Sequence, residues 1–340
     1  MKTWEDVYSE ARKKCKICRC CPVCNGLACR GETPGPGGKG SVESFVRNAK
    51  MLKEIFITMD TITGNEEIST NADFFGHPVS LPVYAAPISG IKKNYGADLD
   101  DLTYTEELVA GCLEAGTLAF TGDGMHDEMF TGPTGIVKKH NGYGIPTVKP
   151  WEKEAMQWRL QMAQEANALA IASDIDASGL TNLRKSVTPV GFKTVEDLKE
   201  ITSNCSLPFI LKGIMSVKGA LKALEAGADG IIVSNHGGRV LDDSLAGIEV
   251  LEEIVKAVDG RMKIFVDGAI RTGNDVFKAL ALGADGVLIG RPVSHAVIGG
   301  GREGIRIYME KIALELKEAM AMSGCKTIQD ITRDKITVKF

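Results

Sequence analysis

The sequence predicts an α/β protein: one (β/α)8 TIM barrel over residues 41–340, behind a Cys-, Gly- and Pro-rich extension at 1–40. Three observations predict it. Eight short apolar runs recur between residues 81 and 292, closing on Gly, Pro, Asp, Asn or Lys. An amphipathic stretch follows each run, the alternation expected of a parallel sheet covered by helices. LKALEAGADGIIV at 221–233 and FKALALGADGVLI at 277–289 repeat one unit of helix, Gly turn and strand.

Residues 1–14 read as a short polar helix. Residues 15–40 are Cys-rich and then Gly/Pro-rich, ending GETPGPGGKG at 31–40, which holds neither helix nor central strand. Ser41 is placed to cap a helix through Lys53, with Glu43 in its first turn and Phe45, Ala49 and Leu52 on one face. The eight runs are 81–88, 117–122, 143–150, 168–174, 208–214, 230–237, 263–270 and 286–292. They are nearly continuous in apolar residues rather than alternating, as in strands buried on both faces. Helical patterns between them include Tyr104–Ala115, Thr194–Ser203, Val217–Ala226, Ser244–Val258 and Asn274–Leu282. The runner-up, a doubly wound sheet, calls for a G-x-G-x-x-G turn after an early strand, and no such turn stands there.

Composition narrows the function. Glycine makes up 38 of 340 residues and aromatics 6%. That balance suits tight βα turns and close approach of backbone to a ligand. It suits a β-sandwich or an aromatic nucleic-acid platform poorly. The formal net charge of −4 argues against a phosphate-backbone binder. No apolar stretch approaches the ~20 residues of a membrane span. The first residues, MKTWED, lack the apolar core of a secretory signal. The expectation is a cytoplasmic protein with reduced thiols.

Working groups of such a barrel sit at strand C-termini. The fourth run ends at Asp174, the fifth at Lys212-Gly213, the sixth at SNHGGR, 234–239. The seventh ends at Asp267-Gly268 with Arg271 beyond, the eighth at Gly290-Arg291-Pro292. One His at a strand end is ordinary structure. Five ends converging with a His, a Lys, two Asp and three Arg are not explained by packing, because buried charge is costly unless paired. Gly268, Gly273 and Gly290 with Arg271 and Arg291 suggest a phosphate cradle. His236 is suited to act as a base near neutral pH, and Arg239 to clamp a carboxylate.

These segments, with LKGI at 211–214, DGAIRTGNDVFKALALGA at 267–284 and IGRP at 289–292, resemble the FMN-dependent 2-hydroxy-acid oxidases and dehydrogenases, a family that includes lactate and glycolate oxidase. The likeness is specific in the C-terminal half. It reaches back more weakly to about residue 41 through Asn48, Phe75-Gly76 and LPVYAAPISG at 81–90.

The resemblance implies FMN, a lactate-like 2-hydroxy-acid substrate, and oxygen or a redox partner as electron acceptor. Relatives are commonly tetramers. By resemblance, His236 is the base, Arg239 holds the substrate carboxylate, and Asp174 orients His236 and stabilises its protonated form. Lys212 lies by the flavin N1/O2 edge, where a developing anion needs stabilising. The Pro87-Ile88-Ser89 backbone meets the ring and Ser234 contacts its polar side. Asp267, Gly268, Ala269, Ile270 and Arg271, with Gly290 and Arg291, hold the ribityl chain and phosphate.

The sequence also departs from the family. The substrate tyrosine usual near the N-terminus has no counterpart, and the third strand runs into Lys149-Pro150-Trp151 where a second tyrosine is expected. Lys149 is expected to take over a flavin contact made by an amide in relatives. The second substrate arginine is represented only by the loosely placed Arg184 of DIDASGLTNLRK. Two further readings stay open. One is a flavin isomerase resembling type 2 isopentenyl-diphosphate isomerase; the other is a redox sensor that holds flavin without turnover.

Six of the nine cysteines fall between Cys15 and Cys29; Cys112, Cys205 and Cys325 read as packed thiols. Cys18, Cys21, Cys24 and Cys29 give C-x2-C-x2-C-x4-C, beside Cys15 and Cys20. That spacing suits an iron–sulfur cluster or Zn2+, and unligated or redox-active thiols remain an alternative.

Overall fold

The computed structural model describes residues 3–33, 35–185 and 189–340. Eight parallel strands form the central sheet: β1 (Val83–Ala85), β2 (Phe120–Thr121), β3 (Ile145–Val148), β4 (Ile171–Asp174), β5 (Phe209–Ile214), β6 (Gly230–Val233), β7 (Lys263–Val266) and β8 (Gly286–Ile289). Each falls inside one of the eight apolar runs. Their order is β1-β8-β7-β6-β5-β4-β3-β2. A parallel bridge between Ala85 and Ala119 closes β1 onto the start of β2, so the sheet is a (β/α)8 barrel.

The principal helices are α1 (Trp4–Lys14), α2 (Glu43–Met51), α3 (Asp101–Glu114), α4 (Glu128–Lys139), α5 (Lys153–Glu165), α6 (Val195–Ser203), α7 (Val217–Glu225), α8 (Gly247–Val258), α9 (Gly273–Ala281) and α10 (Arg291–Met322). Helices α3 to α10 follow β1 to β8 one for one. Local chemistry sets several starts. Asp100 accepts from the Thr103 amide, Ser216 from Gly219, and Thr194 and Thr272 form reciprocal capping boxes with Asp197 and Asp275. The cap expected at Ser41 is corrected. Val42 precedes α2 with φ 64° and no side-chain cap. The Ser41 amide and hydroxyl instead donate to Asp242, at 2.5 and 2.7 Å. That tie carries the chain from the extension onto the loop after β6.

The barrel interior is sealed at its N-terminal end by an antiparallel hairpin of Ala72–Phe74 and His77–Val79. Phe74 is fully buried among Tyr84, Phe120 and Phe265, with ring centroids 5.1, 6.2 and 5.7 Å away. A large share of the scarce aromatic surface is therefore spent as a plug. The opposite, C-terminal end stays open for a site.

The extension is part of this packing. Val7 and Ala11 of α1 are fully buried, and α1 lies along α10. Gly299 of α10 makes the close approach feasible, because a Cβ there would sit 2.1 Å from the Val7 carbonyl oxygen. Gly299→Ala is therefore expected to lose about 1–3 kcal/mol of stability through overpacking, measured by urea unfolding. Gly135→Ala on α4, where a Cβ meets nothing within 4 Å, is the control and is expected to gain up to about 1 kcal/mol.

Candidate active site at the C-terminal mouth

A cavity of about 340 Å3 opens at the C-terminal ends of the strands, the size of a small-molecule site. Pro87, Ile88 and Ser89 after β1, Gly122 and Asp123 after β2, and Lys149 after β3 line one side. Lys212 of β5, His236 and Arg239 after β6, Asp267–Ala269 and Arg271 after β7, and Gly290 and Arg291 after β8 line the other.

At the centre is a buried charge network. The Lys212 ammonium, 4% exposed, donates to Ser234 Oγ at 3.1 Å and lies 3.6 Å from an Asp267 carboxylate oxygen. Burial works against its charge, but Asp267, Asp176 and Asp174 together hold its pKa above the ordinary lysine value. The His236 amide also donates to Ser234 Oγ, at 3.0 Å. His236 takes φ 58°, and Gly237 and Gly238 continue in the left-handed region at 64° and 74°. Two glycines in sequence let this loop turn the imidazole back over the mouth.

The partner of that imidazole corrects the sequence reading. His236 Nδ1 lies 3.0 Å from Oδ1 of Asp176, not of Asp174. Asp174 Oδ2 instead accepts from Lys149 Nζ at 2.5 Å. The two carboxylates are close: Asp174, Asp176 and His236 each present an atom within 4.8 Å of the others. What separates them is the turn after β4. The chain enters a tight helical turn, Ile175–Gly179, that brings Asp176 against Gly213. A Cβ at Gly213 would lie 2.4 Å from that of Asp176, so only glycine leaves room. Lys149, expected to meet the flavin, lines the cavity with its ammonium committed to Asp174.

A carboxylate at Nδ1 requires an N–H there and leaves Nε2 as the lone-pair nitrogen. Burial lowers the pKa of His236, and Lys212 and Lys149 lower it further against the opposing pull of Asp176. The ring is therefore neutral and available as a base at neutral pH. Burial opposes ionisation of Asp176 too, but His236, Lys212 and Lys149 outweigh it and hold its pKa below the usual carboxylate range.

The far end of the cavity is cationic. Arg239 donates from Nη1 to the Gly35 and Gly37 carbonyls at 2.7 and 2.8 Å. Arg291 reaches the Pro36 carbonyl and stacks 4.0 Å over the Phe45 ring. Arg271 Nη1 donates to its neighbour's carbonyl, Ile270, and Nε has no partner. Among the described residues, none of these three guanidinium groups pairs with a carboxylate. Burial and the neighbouring Arg291 bring Arg239 down to about 10, so it remains charged.

The structure thus gathers most of the residues singled out in the sequence. Ser234 and Asp174 are buried just beneath the lining, and Ile270 is buried behind it. Arg184 is not gathered: it is exposed and lies by Phe192. Sequence reasoning missed Asp176, Asp123 and Tyr95. Asp123 accepts from Trp151 Nε1 at 2.6 Å and the Lys149 amide at 2.9 Å, bracing the end of β3. Tyr95 closes the short helix Ile91–Tyr95 and lines the cavity beside Arg239 and Arg291. A carboxylate two residues past a strand-end Asp was the only signal for the first; the others carried none.

Fold and site together define an α/β-barrel enzyme with an imidazole–carboxylate couple beside an anion-seeking end. The comparisons with known proteins make this specific. The model of the FMN-dependent dehydrogenase family matches residues 36–193 and 137–338. A 4-hydroxymandelate oxidase of Amycolatopsis orientalis is 32% identical over 327 residues, 86% of this chain and 89% of its own. A peroxisomal (S)-2-hydroxyacid oxidase of Arabidopsis thaliana is 32% identical over 331 residues, 88% of this chain and 90% of its own. Among solved structures, a mandelate oxidase variant with (S)-mandelic acid superposes with a TM-score of 0.79 at 28% identity, covering 100% of this chain and 99% of that one. The chain belongs to the FMN-dependent dehydrogenase family and is an oxidoreductase of its 2-hydroxy-acid oxidase group. The isomerase reading is set aside by that membership.

FMN is its cofactor, and the cavity fits it. The guanidinium groups of Arg271 and Arg291 have no carboxylate partner among the described residues, and Asp267 Oδ1 and Arg271 Nε are buried without partners. Among the described residues no helix is long and apolar enough to cross a membrane.

The Lys149–Asp174 pair generates a stability prediction. Lys149→Met leaves the Asp174 carboxylate, 1% exposed, without its closest cation. A loss of about 3 kcal/mol is expected, read by urea unfolding. Lys149→Met combined with Asp174→Asn is expected to recover more than half of it.

Proposed function

We propose that this enzyme oxidises a small, lactate-like 2-hydroxy acid to the 2-oxo acid. The observation that carries the reading is the set of carboxylate-free arginines beside a neutral, carboxylate-backed His236. Such a set suits two anionic groups, a phosphate and a substrate carboxylate, beside a base.

FMN, when bound, supplies the acceptor for the two electrons that leave the substrate's C2. Arg271 and Arg291, with the backbone of Gly268, Ala269 and Gly290, are suited to its phosphate end. Pro87, Ile88 and Ser89 are suited to its ring. Lys212, held cationic by three carboxylates, is suited to the ring edge where negative charge develops. Arg239 clamps the substrate carboxylate. His236 Nε2 takes the substrate proton, and Asp176 holds the ring in the required tautomer and stabilises the imidazolium that forms. Asp174 then acts at one remove, by holding Lys149. Met125, Met129 and Leu180 line the mouth and supply an apolar, adaptable surface for the substrate's C3 substituent. Tyr95 stands near the arginines in place of the tyrosines absent from the sequence.

Anaerobic mixing with a panel of 2-hydroxy acids, lactate, glycolate and mandelate included, is expected to bleach the bound FMN with at least one of them. Failure across the panel rejects the reading. Repeating the assay with oxygen tells whether oxygen re-oxidises the flavin or a redox partner is needed. His236→Ala is expected to keep FMN and lose flavin reduction by about 10²–10⁴-fold.

Two finer outcomes follow from the geometry. Because His236 works unprotonated and its pKa is lowered, flavin reduction should rise with pH through a value below the ordinary ~6.5 of histidine and stay level above it. Asp176→Asn should slow reduction by about 10²-fold or more, whereas Asp174→Asn should slow it much less. Equal losses in the two variants would contradict the assignment of Asp176 as the partner of the base.

A further inference from the structure

The cysteines of the extension play no part in the chemistry described above. All are free thiols, but they divide into two groups. Cys15, Cys18 and Cys20 are buried among apolar side chains, whereas Cys21, Cys24 and Cys29 are only partly buried and are not core residues. Cys18, Cys21, Cys24 and Cys29 nevertheless line one hollow, with Arg291 and His295 on its other wall. These are the four positions of the C-x2-C-x2-C-x4-C spacing.

No regular element forces this convergence. The segment is irregular apart from the single turn Leu27–Cys29, and separate contacts hold its shape. Arg19 and Glu32 tie its two ends by a forked ion pair, at 2.9 and 2.6 Å. Tyr8 Oη donates to the Cys21 carbonyl at 2.7 Å, and Arg12 donates twice to the Cys20 carbonyl. Gly26, at φ 90°, passes so close to Phe45 that a Cβ would lie 2.7 Å from the ring.

From this convergence we infer that Cys18, Cys21, Cys24 and Cys29 ligate an iron–sulfur cluster, placed behind Arg291 at the edge of the FMN cavity. Three ligands at i, i+3 and i+6 with a fourth shortly after follow the contiguous pattern of cluster sites. Structural zinc sites commonly use two separated pairs instead. Arg291 lines both the hollow and the FMN cavity, so the cluster and the flavin share a wall.

The test uses the full-length flavoprotein purified without oxygen. About four iron and four sulfide per chain are expected, with an electron paramagnetic resonance signal after dithionite reduction. The Cys24→Ser/Cys29→Ser double variant should lose iron and sulfide yet keep its FMN, and Cys205→Ser should keep all three. Absence of both metal and sulfide overturns the site. Zinc without sulfide overturns the cluster in favour of a single ion. Iron and sulfide retained by the double variant overturn the ligand set. Should the double variant not fold, iodoacetamide mapping of the unaltered protein decides. The four thiols should be protected before cluster removal by ferricyanide and chelator and labelled afterwards; equal labelling in both states overturns the proposal. FMN content is read separately throughout, so failure here leaves the flavin reading untouched.

Discussion

The mouth of the barrel depends on one buried cation. Lys212, near the end of β5, lies inside a ring of carboxylates from β4, the turn beyond it, and the residue after β7. An ammonium removed from water is tolerated only if countercharge surrounds it, and carboxylates at that depth ionise only if a cation is near. Each makes the other possible. Lys149 completes the balance by taking Asp174, which leaves Asp176 for His236. Burial of the imidazole, with Lys212 and Lys149 against the pull of Asp176, keeps it neutral. The protonation state needed of a base thus follows from how the charges are shared.

The other end of the cavity follows a different rule. Arg239 and Arg291 are held by backbone carbonyls of the extension rather than by acids. Carbonyl dipoles orient a guanidinium without neutralising it, so the charge stays available to an anion. This arrangement makes the extension more than an appendage. Its glycines lie flat against the loop after β6: a Cβ at Gly38 would come within 3.1 Å of the Gly238 carbonyl oxygen, and the Lys39 amide donates to that same oxygen at 2.8 Å. Helix α1 docks on α10, the helix that begins with Arg291. The cysteine hollow and the cationic end of the cavity are therefore set by the same contacts.

Much of the barrel was legible because its signals are local. Apolar runs end where strands end, and Ser, Thr and Asp residues mark where helices start. The plug hairpin at 72–79 was not legible. Its strands are three residues long and their partner surface, the inside of the barrel, is assembled from distant segments. Ser41 was misread as a cap for a related reason: its bond to Asp242 spans 201 positions, and a nearby helix start looked like the nearer use for its hydroxyl.

The same division runs through the site. The sequence by itself determined which chemical groups arrive at the strand ends, since strand polarity and length place His236, Lys212, Asp267 and the arginines at one mouth. Tertiary structure alone decided how they pair. Asp174 and Asp176 are two residues apart and chemically alike, and nothing local distinguishes them. The choice was made by the turn after β4 and by the missing side chain at Gly213, which admits Asp176 to the histidine and leaves Asp174 to Lys149. Spacing named the four cysteines as a set, but only the folded path of an irregular loop brought them to one hollow. Electrostatic partnership depends on distances of a few ångströms between separate segments, and those distances exist only once the chain has packed.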